Sequence, residues 1–389
     1  MTVVLCRSVP DVVRAITRAA ATGEHLVPRG GGHCFAKRSS TDGIVLDMSG
    51  MAAISVADNG IATIGAGALL AQVYTALHAH GRTLPAGCGP TVGIAGLTLG
   101  GGIGLLGREH GLTCDRLVGA DVVLADGSVV TCDDTREPDL FWALRGAGGG
   151  QFGVVTALRF ATIPEPVTTR VEAVWTDVDS AEETAELVTA WQSWAPDAPD
   201  AVTVNLTLES GRARLFGATT LDEHTTRDLL RELTPAEVEL RPGLPYHRLK
   251  HSFADPREAE PTRMRSEFFS RPLSDRTLAE LLALLVGPGR QLTFTAMGGA
   301  YNRVAEDATA FAHRGERFLL EHIADPADEW LDRSWATAHS EGSGRVYPNF
   351  PDLALADWAT AYHAGNHTRL TTVKKAYDPN RFFDFPQAI

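Results

Sequence analysis

Three glycine-rich stretches, and the side chains set into them, carry the candidate chemistry of this 389-residue chain. The first, LVPRGGGHCF at 26–35, places Arg29, Gly30, Gly31 and Gly32 ahead of His33 and Cys34. The second, AGCGPTVGIAGLTLGGGIG at 86–104, contains Cys88, Gly89, Thr91, Val92, Gly93, Gly96, Gly101, Gly102 and Gly104. The third is RGAGGGQFG at 145–153. Glycine is costly inside regular structure and is kept where the backbone must take a positive φ or lie against a ligand. Successive N–H groups in such turns form nests for anions, so three clusters in one region suit a long ligand bearing a pyrophosphate, such as a dinucleotide. The same composition also serves tight packing turns, and the clusters alone leave both readings open. His33 is likewise open, as a hydrogen-bonded structural imidazole or as a functional one. No GxxxxGK[ST] occurs, since Lys37 follows Ala36, which removes a P-loop. The run from Gly100 to Gly107 lacks the preceding strand, the GxGxxG spacing and the later acidic residue of a Rossmann turn.

The elements that must position these loops read in alternation. Ser8, Pro10 and the apolar series Val12, Val13, Ile16, Ala19 and Ala20 predict a helix stopped by Gly23, and a strand then delivers Arg29. GIVLDM and IATIGAG read as strands, and ALLAQVYTALHAHG as a helix ended by Gly81. DVVLADGSVVTC is a hairpin about Asp126-Gly127. EPDLFWAL is a helix opened by Pro138, and FGVVTALRFATI is a buried strand. Beyond about residue 165 the glycine clusters disappear. Amphipathic strands such as TVNLTLESGRARLFG and QLTFTAMGG alternate there with acidic-faced helices, and a sheet of this kind could wall a cofactor. From about 345, YPNFPDL leads into one helix carrying Trp358, Tyr362, Leu370 and Val373.

Composition narrows the function classes. A 44% hydrophobic content over this length supports roughly two domains with sizeable cores. The formal charge of -13 offers no basic field for nucleic acid. No apolar run approaches a membrane span and none at the N-terminus forms a signal segment, so the expectation is a cytoplasmic protein without a membrane partner. Cys6, Cys34, Cys88, Cys114 and Cys132 form no CxxC pair. His363 and His367 have metal-like spacing, but no HExxH glutamate is present and Gly365 lies between them, so no metal is expected.

Taken in order, RGGGH, TDGIVLDMSGM, AGCGPTVGIAGLTLGGGIG, RGAGGGQFGVVT, YPNFPDL, GNHTRL and VKKAYDPNRFF resemble the berberine bridge enzyme-like branch of the vanillyl-alcohol oxidase flavoprotein family, near its bacterial members of the 6-hydroxy-D-nicotine oxidase type. The resemblance implies an α+β fold. Residues 1–165 would form the N-terminal part of a two-subdomain FAD-binding domain, and 166–340 a substrate domain with an antiparallel sheet covered by helices. Residues 341–389 would return to the FAD. It further implies that a ring nitrogen of His33 bonds the flavin 8α carbon, that Arg29 to Gly32 and Cys34 line the cofactor loop, and that residues 87–104 flank ring and pyrophosphate. Val155, Asn349 and Asn366 complete the expected cofactor set.

Several positions depart from the family pattern. Where bicovalent members carry a second flavin-linking cysteine this chain has Gly89, with Cys88 one residue earlier, so a single covalent bond is expected and no link through Cys88. Val92 stands where the family places its oxygen gate, and a small residue there resembles oxidases. YPNF puts Phe350 in place of a family tyrosine that helps deprotonate substrate, which leaves Tyr347, Tyr301 and His363 as candidate bases. The expected activity is an FAD-dependent oxidase that takes a hydride from a CH–OH or CH–N carbon and reduces O2 to H2O2. Trp175, Phe268, Phe269 and Phe294 point to an aromatic or natural-product substrate. A flavin-dependent cyclase or desaturase, and a hydrophobic-drug-binding protein retaining flavin, are the rival readings. The chain is expected to be a monomer or homodimer.

Overall fold

A computed structural model of the chain describes residues 1–176, 181–233, 238–253 and 262–389. The first helix, Val9–Thr22, ends at Gly23, whose φ of 69° is the left-handed conformation that glycine takes without steric cost. Ser8 does not cap it with its own oxygen. Asp11 in the first turn accepts from the Arg7 backbone N–H and from Ser8 Oγ at 2.9 and 2.8 Å, which reverses the expected direction. The buried stripe of Val12, Ala15, Ile16 and Ala19 packs on a parallel three-stranded sheet ordered Thr2–Leu5, Ile44–Asp47, Leu26–Arg29. The last of these strands aims the chain into the first glycine loop.

An antiparallel five-stranded sheet follows in the order Ile54–Val56, Ile61–Gly65, Val154–Ala161, Leu117–Val123, Val129–Cys132. The expected hairpin turns at Gly127, with φ 82°. Helix Leu70–His78 packs its buried residues, Leu70, Val73, Tyr74 and Leu77, into the same apolar core.

From Val167 the chain builds a seven-stranded antiparallel sheet ordered Glu239–Pro245, Val167–Thr176, Arg212–Thr219, Val202–Glu209, Gln291–Ala296, Phe318–Ala324, Arg263–Phe269. Period-two alternation divides its side chains between two faces. Val204, Leu206, Phe294, Phe318 and Leu320 meet Val188, Trp191, Leu278, Leu281 and Trp330 of the covering helices. The opposite face carries Thr203, Asn205, Thr293, Thr295 and Glu321, with Thr293 paired directly to Glu321.

At the C-terminus the single expected helix is two, Trp358–His363 and His367–Tyr377, separated by a 3-10 turn at Ala364–Asn366. Ala364 takes φ 46°, which an α-helix cannot accommodate. The buried Asn366 amide there donates to the carbonyls of Glu306 at 2.7 Å and Thr309 at 3.1 Å, contacts that fix the break. Among the described residues no helix is long and apolar enough to cross a membrane.

Arg108, in the short helix Gly107–His110, has no solvent exposure. Its guanidinium donates to the backbone carbonyls of Val202 at 3.0 Å and Pro196 at 2.9 Å, and to those of Ala198 and Met297. One side chain thereby ties the second glycine segment to the base of the seven-stranded sheet. Arg108→Met removes those donors while keeping much of the stem's volume, so buried carbonyls go unpaired. Chemical denaturation is expected to give a loss of at least about 3 kcal/mol, and an unchanged midpoint would show that water replaces the guanidinium.

Candidate functional site

The glycine loops and the polar face of the large sheet enclose one cavity of about 510 Å³, in the range of ligand and cofactor clefts. Gly30, Gly31, Gly32, His33 and Cys34 line it from the first loop, and Gly89, Val92, Gly93, Gly96 and Gly104 from the second. Gly149, Gly150 and Val155 add the third wall. The polar sheet face supplies Thr203, Asn205, Thr293, Thr295 and Glu321, and the C-terminal segment supplies Tyr347, Asn349 and Phe350.

Steric packing explains part of the glycine content. A Cβ at Gly31 would stand 2.3 Å from the Gly93 nitrogen, and one at Gly93 would stand 2.4 Å from the Gly31 nitrogen, so the two loops touch backbone to backbone. Gly96 has a different reason. It lies within helix Ile94–Leu99, where glycine costs about 1 kcal/mol relative to alanine, yet a Cβ there would meet no protein atom within 4 Å. Gly149 packs beside it, a Cβ there standing 4.0 Å from the Gly96 Cα and 3.8 Å from Leu99 Cδ1. The missing side chain at Gly96 leaves space that the protein does not fill, on the side of the helix where a Cβ would stand.

His33 is exposed to the cavity, and its Nε2 lies 2.9 Å from Thr91 Oγ1. That contact orients the ring and leaves Nδ1 as the other reactive nitrogen. Thr91 therefore acts on His33 and does not itself line the cavity. Arg29 also turns away, donating to Ser39 O and Ser40 Oγ at 2.9 Å each. Gly101 and Gly102 lie behind the wall: their positive φ values of 117° and 89° bring the chain against Phe311 and Thr113. Cys88 borders the cavity and sits 3.1 Å from Nζ of Lys250. Lys250 is buried, with its ammonium pKa lowered by burial, and it also donates to Ala86 O at 2.9 Å.

The Tyr347 phenol oxygen accepts three N–H bonds, from Gly102 at 3.0 Å, Ile103 at 3.1 Å and Asn349 Nδ2 at 3.0 Å. Burial pushes its pKa up to about 12, so the neutral phenol prevails. Tyr301 borders the same space, but its hydroxyl both donates to Gly104 O at 2.7 Å and accepts from Gly104 N at 3.1 Å. That exchange makes it a clamp on the loop. Asn349 spends its amide on Leu97 O and Tyr347.

Two further expected site residues also stand off the cavity. His363 is 1% exposed, packed with Trp358, Tyr362 and His367, and burial pushes its imidazole down to about 3; it does not border the cavity. Asn366 is likewise outside, committed to the turn at 306–310. The aromatic residues read as substrate contacts are also packing groups, since Phe268, Phe269 and Phe294 are fully buried in the cores and Trp175 packs against one of them.

Glu321 is the residue that sequence reasoning missed. It interrupts the apolar strand FLLEHIA, faces the cavity, and accepts from Thr295 Oγ1 at 3.3 Å. Burial pushes its carboxyl up to about 7. A lone carboxylate amid strand-forming apolar residues was the available signal.

A glycine-lined cavity against a polar sheet with a tuned carboxyl defines a cofactor-dependent enzyme with a separate substrate wall. Comparison with known proteins specifies the cofactor. A profile of FAD binding domains matches residues 2–133, and one described as berberine and berberine like matches residues 346–389. An uncharacterised FAD-linked oxidoreductase of Bacillus subtilis, YgaK, is 34% identical over 100% of this chain and 90% of its own. A chitooligosaccharide oxidase of Gibberella zeae is 30% identical over 98% of this chain and 85% of its own. The glucooligosaccharide oxidase structure from Acremonium strictum, described with a 6-S-cysteinyl, 8α-N1-histidyl FAD, superposes with a TM-score of 0.90 at 26% identity, covering 100% of this chain and 91% of that one. The chain belongs to the berberine bridge enzyme-like family of FAD-linked oxidoreductases. Its cofactor is FAD, and the unfilled space beside Gly96 in the glycine-lined cavity fits such a group.

That space can be filled from the protein side. Gly96→Leu should raise apoprotein stability slightly through helix propensity, by up to about 1 kcal/mol, while cutting FAD content at least tenfold, by an order-of-magnitude estimate for a blocked cleft. Flavin absorbance per chain and thermal denaturation would be read on the same sample, and full FAD loading would show that the space serves another purpose.

Proposed function

We propose that this chain is an FAD-dependent oxidase acting on a CH–OH carbon of a small, polyhydroxylated substrate, with O2 as the second substrate and H2O2 as the product. The observation that carries this reading is the row of Thr203, Asn205, Thr293, Thr295 and Glu321 on the sheet face opposite the glycine loops. Hydroxyl and amide groups at alternate strand positions match a ligand bearing several hydroxyls. In this reading residues 1–165 and 341–389 hold the cofactor, and 166–340 cover it with the substrate wall. FAD, when bound, supplies two-electron oxidation of the substrate carbon and its own reoxidation by O2.

The side chains divide the remaining work. Glu321 accepts the substrate hydroxyl proton, because a carboxyl poised near 7 is a base at neutral pH. Tyr347, fixed by three N–H donors, borders the same space and shapes where that oxygen sits. His33 Nδ1 tethers the flavin at its 8α carbon, with Thr91 setting the ring plane. Val92 leaves space for oxygen beside the His33 loop.

The substrate class is tested by mixing the oxidised holoenzyme without oxygen, first with a gluco-oligosaccharide and then with an aromatic amine. The visible flavin band should fade with the sugar, and peroxide should appear when air is admitted. Fading with the aromatic amine alone would overturn the polyhydroxylated assignment, and fading without peroxide would move the reading to a cyclase or desaturase.

Two substitutions test the assigned roles. Glu321→Gln should lower kcat by roughly 10²–10⁴-fold, and the wild-type rate should fall as pH drops through about 7, where the carboxyl takes up its proton and ceases to be a base. A profile flat through that range would exclude Glu321. His33→Ala should yield flavin that stays in the supernatant after acid precipitation, whereas the wild-type supernatant should be colourless; colour in both would remove the tether.

A further inference from the structure

Outside the cavity, side chains from separate stretches of chain converge where helix Leu70–His78 meets helix Tyr246–Ser252. Glu165 lies between the two helices, two residues ahead of the first strand of the seven-stranded sheet. Its Oε2 is 2.5 Å from Nδ1 of His78, and its Oε1 is 3.2 Å from Nδ1 of His247. The two imidazoles stack with centroids 3.5 Å apart and planes inclined at 26°. Both therefore present the same ring nitrogen to one carboxylate from the same side.

The carboxylate is held for this position. Its side chain is only 7% exposed, Oε1 also accepts the His247 backbone N–H at 2.8 Å, and the Glu165 backbone N–H donates to Gly81 O at 2.9 Å. His247 is 16% exposed, with its Nδ1 held on the Glu165 carboxylate. His78, 42% exposed, leaves one side open to solvent. One ligand atom from each of the three residues lies within 4.8 Å of the others. Bond lengths of about 2.0–2.2 Å to nitrogen and oxygen would require only side-chain adjustments.

We propose that His78, Glu165 and His247 form a binding site for a borderline transition-metal dication of the Zn2+ type, with water from the exposed side as a further ligand. Two imidazoles and a carboxylate are a donor set such ions prefer over the hard, all-oxygen surroundings of Mg2+ or Ca2+. The ion clasps the C-terminal end of one helix, the segment entering the large sheet, and the N-terminal half of another. That last helix also carries Lys250, whose ammonium reaches Ala86 O and Cys88 Sγ on the cavity wall. Metal at the junction thus braces the glycine loop from outside without touching the flavin or the substrate. This proposal departs from the expectation, drawn at His363 and His367, that the chain binds no metal.

The test uses FAD-loaded protein passed over a chelating resin and then titrated with Zn2+ by calorimetry, with the metal retained after desalting counted by mass spectrometry. Wild type should bind one Zn2+ per chain and melt at a higher temperature with Zn2+ than without it. His78→Gln, at a partly exposed position where folding is undisturbed, and Glu165→Gln should each weaken binding at least about tenfold. Replacing both His78 and His247 should abolish both the retained metal and the thermal shift. His224→Ala, which alters an exposed histidine paired with Asp228, should leave both unchanged. Equal Zn2+ retention in wild type and the double variant, or no retention in wild type, would overturn the site and leave the three residues as a hydrogen-bonded clasp.

Discussion

The cavity exists because two walls made by distant parts of the chain are held at a fixed separation, and the buried Arg108 guanidinium is central to that constraint. A charged group without solvent is tolerable only when its donors are met, and here they are met by backbone carbonyls of residues 196–202 and 297. Backbone acceptors are indifferent to side-chain identity, so the tie fixes position while leaving the sequence of the sheet free to vary. A second buried cation, Arg314, makes a two-pronged ion pair with Asp115 at 2.6 and 2.9 Å, closing the same boundary from the other side. Charge buried at such a seam specifies alignment more than it adds stability.

Within that frame the two walls have separate tasks. The loops are built from residues with little or no side chain, so their contribution is backbone shape and N–H groups. The sheet face is built from short polar side chains at alternate positions, whose hydroxyls can be exchanged without disturbing the apolar face beneath. Tyr347 joins the two, since its phenol receives backbone N–H bonds from the second loop while its ring packs against Phe268, Phe311 and Phe350.

Local elements were legible in the sequence wherever one residue type sufficed to define them. Gly23, Asp126-Gly127 and Pro138 placed helix ends and a hairpin, and the glycine clusters located loops that line the cavity. The resemblance supplied the order of the halves. What sequence could not convey was the direction of a side chain within a recognised motif. Thr91 and Arg29 belong to the loops yet point elsewhere, and Asn366 serves a turn because Ala364 leaves the helical region, a backbone event with no glycine or proline to announce it. Glu321 escaped notice because its strand, Phe318–Ala324, carries no motif that singled it out in the sequence. Only pairing with Thr293 reveals that alternate residues form a polar surface. His78, Glu165 and His247 are too widely spaced in the chain for any motif to join them.

The outermost strands of the seven-stranded sheet determine how this molecule meets its neighbours. Glu239–Pro245 is short, mostly exposed, and carries Pro242 and Pro245, with the pairing register shifting between Thr168 and Arg170 beside it. Proline presents no N–H, and a shifted register twists the ribbon away from straight continuation. At the far side, Phe268 of Arg263–Phe269 is already bonded through its backbone to Ser343 and Arg345. Neither margin offers the long row of free donors and acceptors on which a foreign strand could be laid down. A sheet large enough to seed aggregation is in this way finished at both ends, and can keep a polar, cavity-facing surface without inviting edge-to-edge growth.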